Sequence, residues 1–215
     1  MNIILLGAPG AGKGTHSEML TVDFGIKHIS TGDLLREELK KASPAGLEAK
    51  SYMDKGSLVP DAVVMKLLVG AVEGIKNERG FLLDGFPRNE SQAGMLDKEL
   101  VSRNMSIDKV IYLNVSKDVV IKRLTGRRIC KSCGAVYHVV NMHPKKEGIC
   151  DKCGGILYQR SDDTEQTVLR RLEVYRKETE GLINYYKARK ILAEVNADLS
   201  RDDTYALILQ RLGKK

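Results

Sequence analysis

Nine consecutive residues near the start of the chain, Gly7-Ala8-Pro9-Gly10-Ala11-Gly12-Lys13-Gly14-Thr15, restrict what it can fold into more than any other stretch. They follow the apolar run Ile3-Ile4-Leu5-Leu6 and precede Met19, Leu20 and Phe24 at helical spacing. A buried strand, a glycine loop and a helix start are the context in which this pattern becomes a phosphate cradle. Glycine lets the backbone curl until successive N–H groups face one anion. The helix start adds the positive end of its dipole, and Lys13 adds a mobile charge for the outer phosphates. The residue after the lysine is Gly14 rather than the usual hydroxyl, which comes one step later as Thr15. The rival reading is a plain glycine-rich strand-to-helix turn.

A chain of 215 residues can bury one substantial core and carry small inserted lobes. No apolar run approaches membrane-spanning length, and residues 1–6 enter a strand without a secretory leader, so a soluble, cytoplasmic protein is expected. The net charge of +7 comes from 35 basic and 28 acidic residues scattered among one another. With no Trp and three Phe, no basic face with interleaved aromatics is visible, so neither nucleic acid nor membrane is expected as a partner. The excess of cations serves polyphosphate ligands or a solvated surface, and composition does not separate the two.

Short apolar runs at Asn2–Leu6, Lys27–Ile29, Gly80–Asp84, Lys109–Val115 and Ile191–Val195 alternate with helical stretches. Their continuous hydrophobicity predicts strands buried on both faces of a parallel sheet. The fold class expected is α/β, a doubly wound parallel sheet whose ligands lie beyond the carboxyl ends of the strands. After Asp163, the residues Val168, Leu172, Tyr175, Leu182 and Tyr186 form one apolar stripe, interrupted at Thr179. Asp162 or Asp163 is the expected N-cap of that helix. Two stretches stand outside the alternation. Residues 30–59 read as two helices broken at Ser43-Pro44. Residues 126–163 hold all four cysteines and little apolar periodicity. Both are read as lobes inserted into a core of residues 1–29, 60–125 and 164–215, and such lobes are candidates for moving parts.

Cys130-Lys131-Ser132-Cys133 and Cys150-Asp151-Lys152-Cys153 are separated by sixteen residues. Two C-x-x-C knuckles at this distance match a closed four-thiolate zinc site. Iron in the same place, a pair of disulfides and a redox C-x-x-C are the rivals; a reducing compartment argues against disulfides. With every position filled by protein, the metal holds shape and does no chemistry. Elsewhere Arg36, Arg88, Arg123, Arg127, Arg160 and Arg171 each sit at an element end or a lobe boundary. Arginine grips oxyanions through paired N–H bonds, although any one of the six alone reads as a surface ion pair. Asp84, at the end of the strand Phe81-Leu82-Leu83, is a carboxylate suited to organising magnesium or its waters.

Taken together, Gly7–Thr15, His28-Ile29-Ser30-Thr31-Gly32-Asp33, Asp84-Gly85-Phe86-Pro87-Arg88, Gly126-Arg127-Arg128, the two cysteine knuckles and Arg160-Ser161-Asp162-Asp163 make the chain resemble adenylate kinase of the long-lid, zinc-containing bacterial type, from end to end. The resemblance implies a P-loop core, an AMP-binding lobe over 30–59 and a zinc-binding lid over 126–163. It implies that Lys13, Arg88, Arg123, Arg127, Arg160 and Arg171, with Asp84, surround the reacting phosphates. ATP is expected on Gly10, Ala11, Gly12, Lys13, Gly14 and Thr15, with Arg127, Val136 and Tyr137 covering it and the backbone at Leu199 meeting its adenine. AMP is expected on Thr31, Arg36, Met53, Ser57, Leu58, Val59, Gly85, Phe86, Pro87, Arg88, Gln92, Arg160 and Arg171. Gln92 reads the adenine edge through its amide, a donor and acceptor pair. Without the resemblance, Met53 and Tyr137 read as ordinary packing.

Two departures from the commoner family pattern are His16, where glutamine is more usual, and Asn196-Ala197-Asp198-Leu199, where a glycine–glutamine version is more frequent. Backbone does the cradling in the first case, and a main-chain carbonyl makes the expected contact in the second. The implied reaction is ATP + AMP to two ADP with magnesium, run by a monomer in which Asp162 and Asp163 pair within the closed lid. Competing readings are a kinase for UMP, CMP or GMP, and a nucleic-acid-binding zinc ribbon fused to a nucleotide-gated ATPase.

Overall fold

The computed structural model describes residues 1–75 and 79–214. The chain opens with β1 (Ile3–Gly7), the glycine loop, α1 (Lys13–Phe24) and β2 (Lys27–Ser30), then runs through α2 (Thr31–Lys40), α3 (Pro44–Asp54) and α4 (Asp61–Glu73). It returns to the sheet as β3 (Phe81–Asp84), α5 (Glu90–Ser102), β4 (Lys109–Asn114) and α6 (Lys117–Thr125). A small excursion follows: β5 (Arg127–Cys130), β6 (Val136–His138), β7 (Leu157–Tyr158) and a 3-10 turn at Ser161–Asp163. The chain ends with α7 (Glu165–Val174), a widened π turn (Tyr175–Thr179), α8 (Gly181–Ala188), β8 (Leu192–Asn196) and α9 (Arg201–Arg211).

The main sheet has the order β2-β3-β1-β4-β8 with every pair parallel. The five strands expected from the apolar runs are all present, each within a residue or two of its expected ends. Their apolar continuity has a direct cause. Ile4, Leu6, Leu83 and Val110 face one core, under α4, α5 and α8, whereas Ile3, Leu5, Leu82, Ile111 and Leu113 face another, under α1 and α9. A strand buried on both sides cannot alternate with polar residues. Each such side chain contributes roughly 1.5–3 kcal/mol by leaving water.

Register brings the carboxyl ends together: Leu5 and Ser30 both pair with Asp84, Gly7 with Leu113, and Asn114 with Asn196. The loops that follow these strands therefore share one edge of the sheet. Residues 30–59 form α2 and α3 and add no strand to the sheet beyond the end of β2. The break between the helices is set by Ser43, whose hydroxyl accepts the Gly46 N–H at 3.1 Å, with Pro44 in the first turn. β5 pairs antiparallel with β6 and β7 in a separate three-stranded sheet.

Two local expectations are corrected. The N-cap of α7 is Thr164, whose hydroxyl accepts the Thr167 N–H at 3.4 Å. Asp162 and Asp163 precede it in the 3-10 turn, and their carboxylates go to arginines instead. The single apolar stripe is also divided. Val168, Leu172 and Tyr175 pack with Val120 and Leu124 of α6, whereas Leu182 and Tyr186 join the core beneath α5. The π turn shifts the phase between them, which is why Thr179 interrupts the pattern.

Candidate functional site

The shared sheet edge opens into a cleft of about 1790 Å³, above the several hundred Å³ of an ordinary small-molecule pocket. One end is floored by the glycine loop. Gly10 and Gly12 have φ of 81° and 93°, values that side chains rarely tolerate, and a Cβ on Gly10 would come within 2.9 Å of Leu124. Lys13 opens α1 and sends its ammonium back to the Gly7 and Ala8 carbonyls at 2.8 and 3.0 Å. Thr15 and Gly14 line the cleft beside it, and Asp84 at the end of β3 approaches Gly14 from the facing strand.

The electrostatics of this cleft suit a polyanion. Burial above all pushes the Lys13 ammonium down to about 8; Asp84 opposes this, while Arg88, Arg171 and Arg127 add to it. Burial and then Arg171 push Arg88 down to about 10, with Asp84 opposing. Arg160 falls to about 10 by burial, then by Arg36 and Arg127. Arg171 is lowered by burial too, with Arg127 and Arg36 among its repulsive neighbours. Lys13, Arg36, Arg88, Arg127, Arg160 and Arg171 therefore form one group of mutually repelling cations, brought from separate segments to the same place. Clustered like charges, four of them (Lys13, Arg88, Arg160 and Arg171) with depressed proton affinity, are a signature of a functional site.

Acidic partners hold the cluster in shape. Arg127 makes a two-pronged bond to the fully buried Asp163, at 2.8 and 2.6 Å. Arg171 reaches Asp162 at 3.0 Å and Asp163 at 3.5 Å. Arg36 pairs with Asp33 at 2.5 Å. The Arg88 Nε–H donates to the Gly85 carbonyl at 2.8 Å, and Thr31 Oγ1 donates to the same oxygen at 3.0 Å. Among the described residues Asp84 makes no ion pair with an arginine or lysine; the His28 ring nitrogen Nε2 lies 3.9 Å from its carboxylate.

Not every expected residue meets the cleft in the same way. Met53, Ser57, Leu58, Val59, Gly85, Pro87, Val136 and Leu199 line it. Ala11 and Phe86 do not; their side chains are buried in the two cores, so only their backbone can serve a ligand. Arg123 stands apart from the cation cluster, with Asp198 near it and its Nη2–H donating to the Leu199 carbonyl at 3.2 Å. Tyr137 lines the cleft, but its hydroxyl turns into the cysteine lobe, where it meets Cys150 Sγ at 3.5 Å and accepts the Asp151 N–H at 2.7 Å. Gln92 is buried, with its amide already bonded to the Arg88 N–H and to Asp61, each at 2.7 Å.

His28, Asp33 and Asp61 gained no role from sequence. His28 and Asp33 lie inside the motif His28–Asp33 and stand beside Asp84 and Arg36; Asp61 reads as an ordinary acid at a helix start. His16 is also buried at the cleft wall beside Arg123, and burial lowers it to about 4, so the ring is neutral.

The four cysteine sulfurs lie within 4.8 Å of one another, with Cys130–Cys153 at 3.5 Å and Cys133–Cys150 at 3.6 Å. These distances are far from the roughly 2 Å of a disulfide. They suit a tetrahedron with ligand bonds of about 2.3 Å, whose sulfurs stand about 3.8 Å apart. Backbone N–H groups of Cys133 and Ser132 aim at Cys130 and lower its thiol, and the Tyr137 hydroxyl is the main cause that lowers Cys150 to about 6. Both favour thiolate, the form that binds metal. The donor set therefore fits a four-thiolate metal site.

A phosphate loop at the carboxyl edge of a doubly wound sheet, with cations converging over a cleft of this size, defines a P-loop phosphotransferase. A family model described as adenylate kinase matches residues 5–191. The adenylate kinase of Bacillus subtilis (strain 168) is 52% identical over 213 residues, covering 99% of this chain and 98% of that protein. Those of Caldicellulosiruptor saccharolyticus and Geobacillus sp. (strain WCH70) are 52% and 49% identical, with 99% of each chain covered. The chain belongs to the adenylate kinase family. Its reaction is the reversible phosphoryl transfer ATP + AMP = 2 ADP, for which adenylate kinases use magnesium with ATP. No helix among the described residues is long and apolar enough to cross a membrane.

Proposed function

We propose that the two nucleotides meet end to end in this cleft, ATP over the glycine loop and AMP against α2, α3 and the Gly85–Arg88 segment. The observation that carries the assignment is the group of six mutually repelling cations between those two regions. Backbone N–H groups of Gly10–Thr15 cradle the ATP phosphates, and Lys13 leaves the Gly7 and Ala8 carbonyls for the outer ones. Arg88, Arg127, Arg160 and Arg171 take the charge that spreads over the migrating group, with Arg36 on the AMP phosphate. Arg123, on the Leu199 wall, serves the ATP side. Asp84 and Thr15 are the residues that would hold magnesium, and the ion would neutralise charge on the phosphates. The acceptor is a phosphate oxygen already ionised near neutral pH, so no general base is required.

The segments 30–59 and 126–163 act as the AMP lobe and the lid of a core formed by 1–29, 60–125 and 164–215. Their closure excludes water, which otherwise takes the phosphoryl group. Zinc on Cys130, Cys133, Cys150 and Cys153 keeps the lid's small sheet in shape. One chain supplies every group named, which supports action as a monomer, and an adenine-nucleotide kinase of this kind works in the cytoplasm. The test is the acceptor profile: AMP, GMP, CMP and UMP with magnesium-ATP, following ADP. AMP is expected to exceed the others in kcat/KM by at least a hundredfold. Comparable rates with any other monophosphate refute the assignment of Gln92 and Thr31 to adenine.

A further inference from the structure

The adenine reader is held from both ends. Gln92 Oε1 accepts the Arg88 backbone N–H at 2.7 Å, and Gln92 Nε2 donates to Asp61 Oδ1 at 2.7 Å. The Gln92 backbone N–H is fixed as well, by Asn89 Oδ1 at 2.8 Å. These neighbours admit one orientation of the amide. Turned by half a revolution, its N–H would face the Arg88 N–H and its oxygen would face a carboxylate. Both contacts would then be repulsive, and the Gln92 side chain is buried, so water does not relieve them freely.

A primary amide offers two N–H donors and two acceptor lone pairs. After the bonds to Arg88 and Asp61, one donor and one acceptor remain, in fixed order. Purines differ in what they present to that pair. Adenine carries an N–H donor at its 6-position beside a ring-nitrogen acceptor, whereas guanine and hypoxanthine carry an acceptor oxygen there. An amide free to turn could greet either. Asp61 itself does not line the cleft, so it makes no contact with a base. It opens α4, and its carboxylate reaches across to the start of α5.

We infer that Asp61 is a positioning residue for nucleobase choice: by fixing the Gln92 amide, it makes the site reject monophosphates with an oxygen at the purine 6-position. The inference rests on the reading that Gln92 meets the AMP base. It assigns the discrimination to a pair of residues, only one of which touches substrate.

The experiment measures kcat and KM for AMP and IMP, at saturating magnesium-ATP, in the parent enzyme, Asp61→Ala, Asp61→Asn and Gln92→Leu. IMP is the closest probe, since it differs from AMP chiefly in the donor and acceptor order on that edge. Asp61→Ala is expected to raise the IMP/AMP ratio of kcat/KM about tenfold, the scale of a hydrogen bond to a charged group. Its effect on AMP should fall on KM, with kcat within about twofold. Asp61→Asn keeps an acceptor oxygen and is expected to restore the parent ratio. If Asp61→Ala does not fold, Asp61→Ser carries the same test, being too short to reach Gln92 while keeping a polar atom in the first turn of α4. An unchanged ratio in Asp61→Ala, with Gln92→Leu strongly impaired on AMP, overturns the inference and leaves the Gln92 reading standing. Gln92→Leu with an unchanged KM for AMP overturns both.

Discussion

Replacing Arg88 by methionine should make the ligand-free protein more stable and the enzyme nearly inactive, and the two effects have one cause. In the fold, Arg88 is surrounded by Arg171 and Arg36, and burial lowers its proton affinity from the ordinary 12.5 to about 10. Tenfold in proton affinity is about 1.4 kcal/mol, so the site disfavours the cation by about 3 kcal/mol. The sign follows from linkage. A base whose folded value lies below its unfolded value is charged in both states at pH 7, and the full penalty is present there. Methionine fills much of the same volume without the charge. What is lost is the Nε–H bond to the Gly85 carbonyl, worth about 1 kcal/mol, and Thr31 still donates to that oxygen. The balance is a gain of about 2 kcal/mol, or a rise of several degrees in Tm for a chain of this size. Turnover should fall by about a hundred- to a thousandfold, as on removal of one preorganised charge at a transition state. Calorimetry of the ligand-free protein and a coupled ADP assay read both effects. A variant within tenfold of the parent rate refutes the placement of Arg88 at the transferring group. A Tm lowered by several degrees refutes the claim that burial and the neighbouring cations make a charge costly there.

Two other outcomes follow from the same geometry. Lys13, held near 8, loses its charge as pH rises through that value, so the Kd for ATP should rise by up to tenfold per pH unit from 8 towards 10. Calorimetric titration in buffers of different ionisation heat should detect proton uptake on binding above pH 8, and a flat Kd profile, or one unaltered in Lys13→Met, counts against Lys13 as a phosphate ligand. Zinc should accompany the purified protein at one equivalent per chain, and chelation should lower Tm; elemental analysis finding neither zinc nor iron after chelator-free preparation removes the metal from the cysteine cluster.

Sequence periodicity located the sheet because the buried strands have no polar face to show. Ile3 and Ile4 enter opposite cores one residue apart, which leaves a mark as plain as a continuous run. The convergence of the four cysteines was legible for a different reason, since two C-x-x-C knuckles at this spacing are the pattern that a four-thiolate site requires. Helix detail after Asp163 was not, because a π turn changes the phase without changing composition, and because Asp162 and Asp163 look like caps until their arginines are seen. Convergence of the arginines lay beyond spacing altogether. Arg36 and Arg171 are 135 residues apart (171 minus 36) and act on each other only through the fold. Asp61 was illegible for the same reason: the residue that gives it meaning, Gln92, is on another helix.

The cleft divides its charges by how they are mounted. Asp84 ends β3, and Lys13 and Arg88 lie in the segments that follow the adjacent parallel strands β1 and β3, which two cores fix from opposite sides. Arg36 rides on α2, Arg127 begins the small antiparallel sheet, and Arg160 lies just beyond β7, so these three belong to the segments proposed above to close over the cleft. A site built wholly of the first kind would bind phosphate and water alike. A site built wholly of the second would not hold the reacting oxygens in line. Asp163 joins the two kinds: fully buried, it grips Arg127 with both oxygens and lies 3.5 Å from Arg171 of α7. On the placement proposed above, an incoming phosphate competes with the Asp163 carboxylate for Arg127 and Arg171. Attraction of the ligand by the cluster and release of the product from it depend on that competition, so neither can be strengthened without weakening the other.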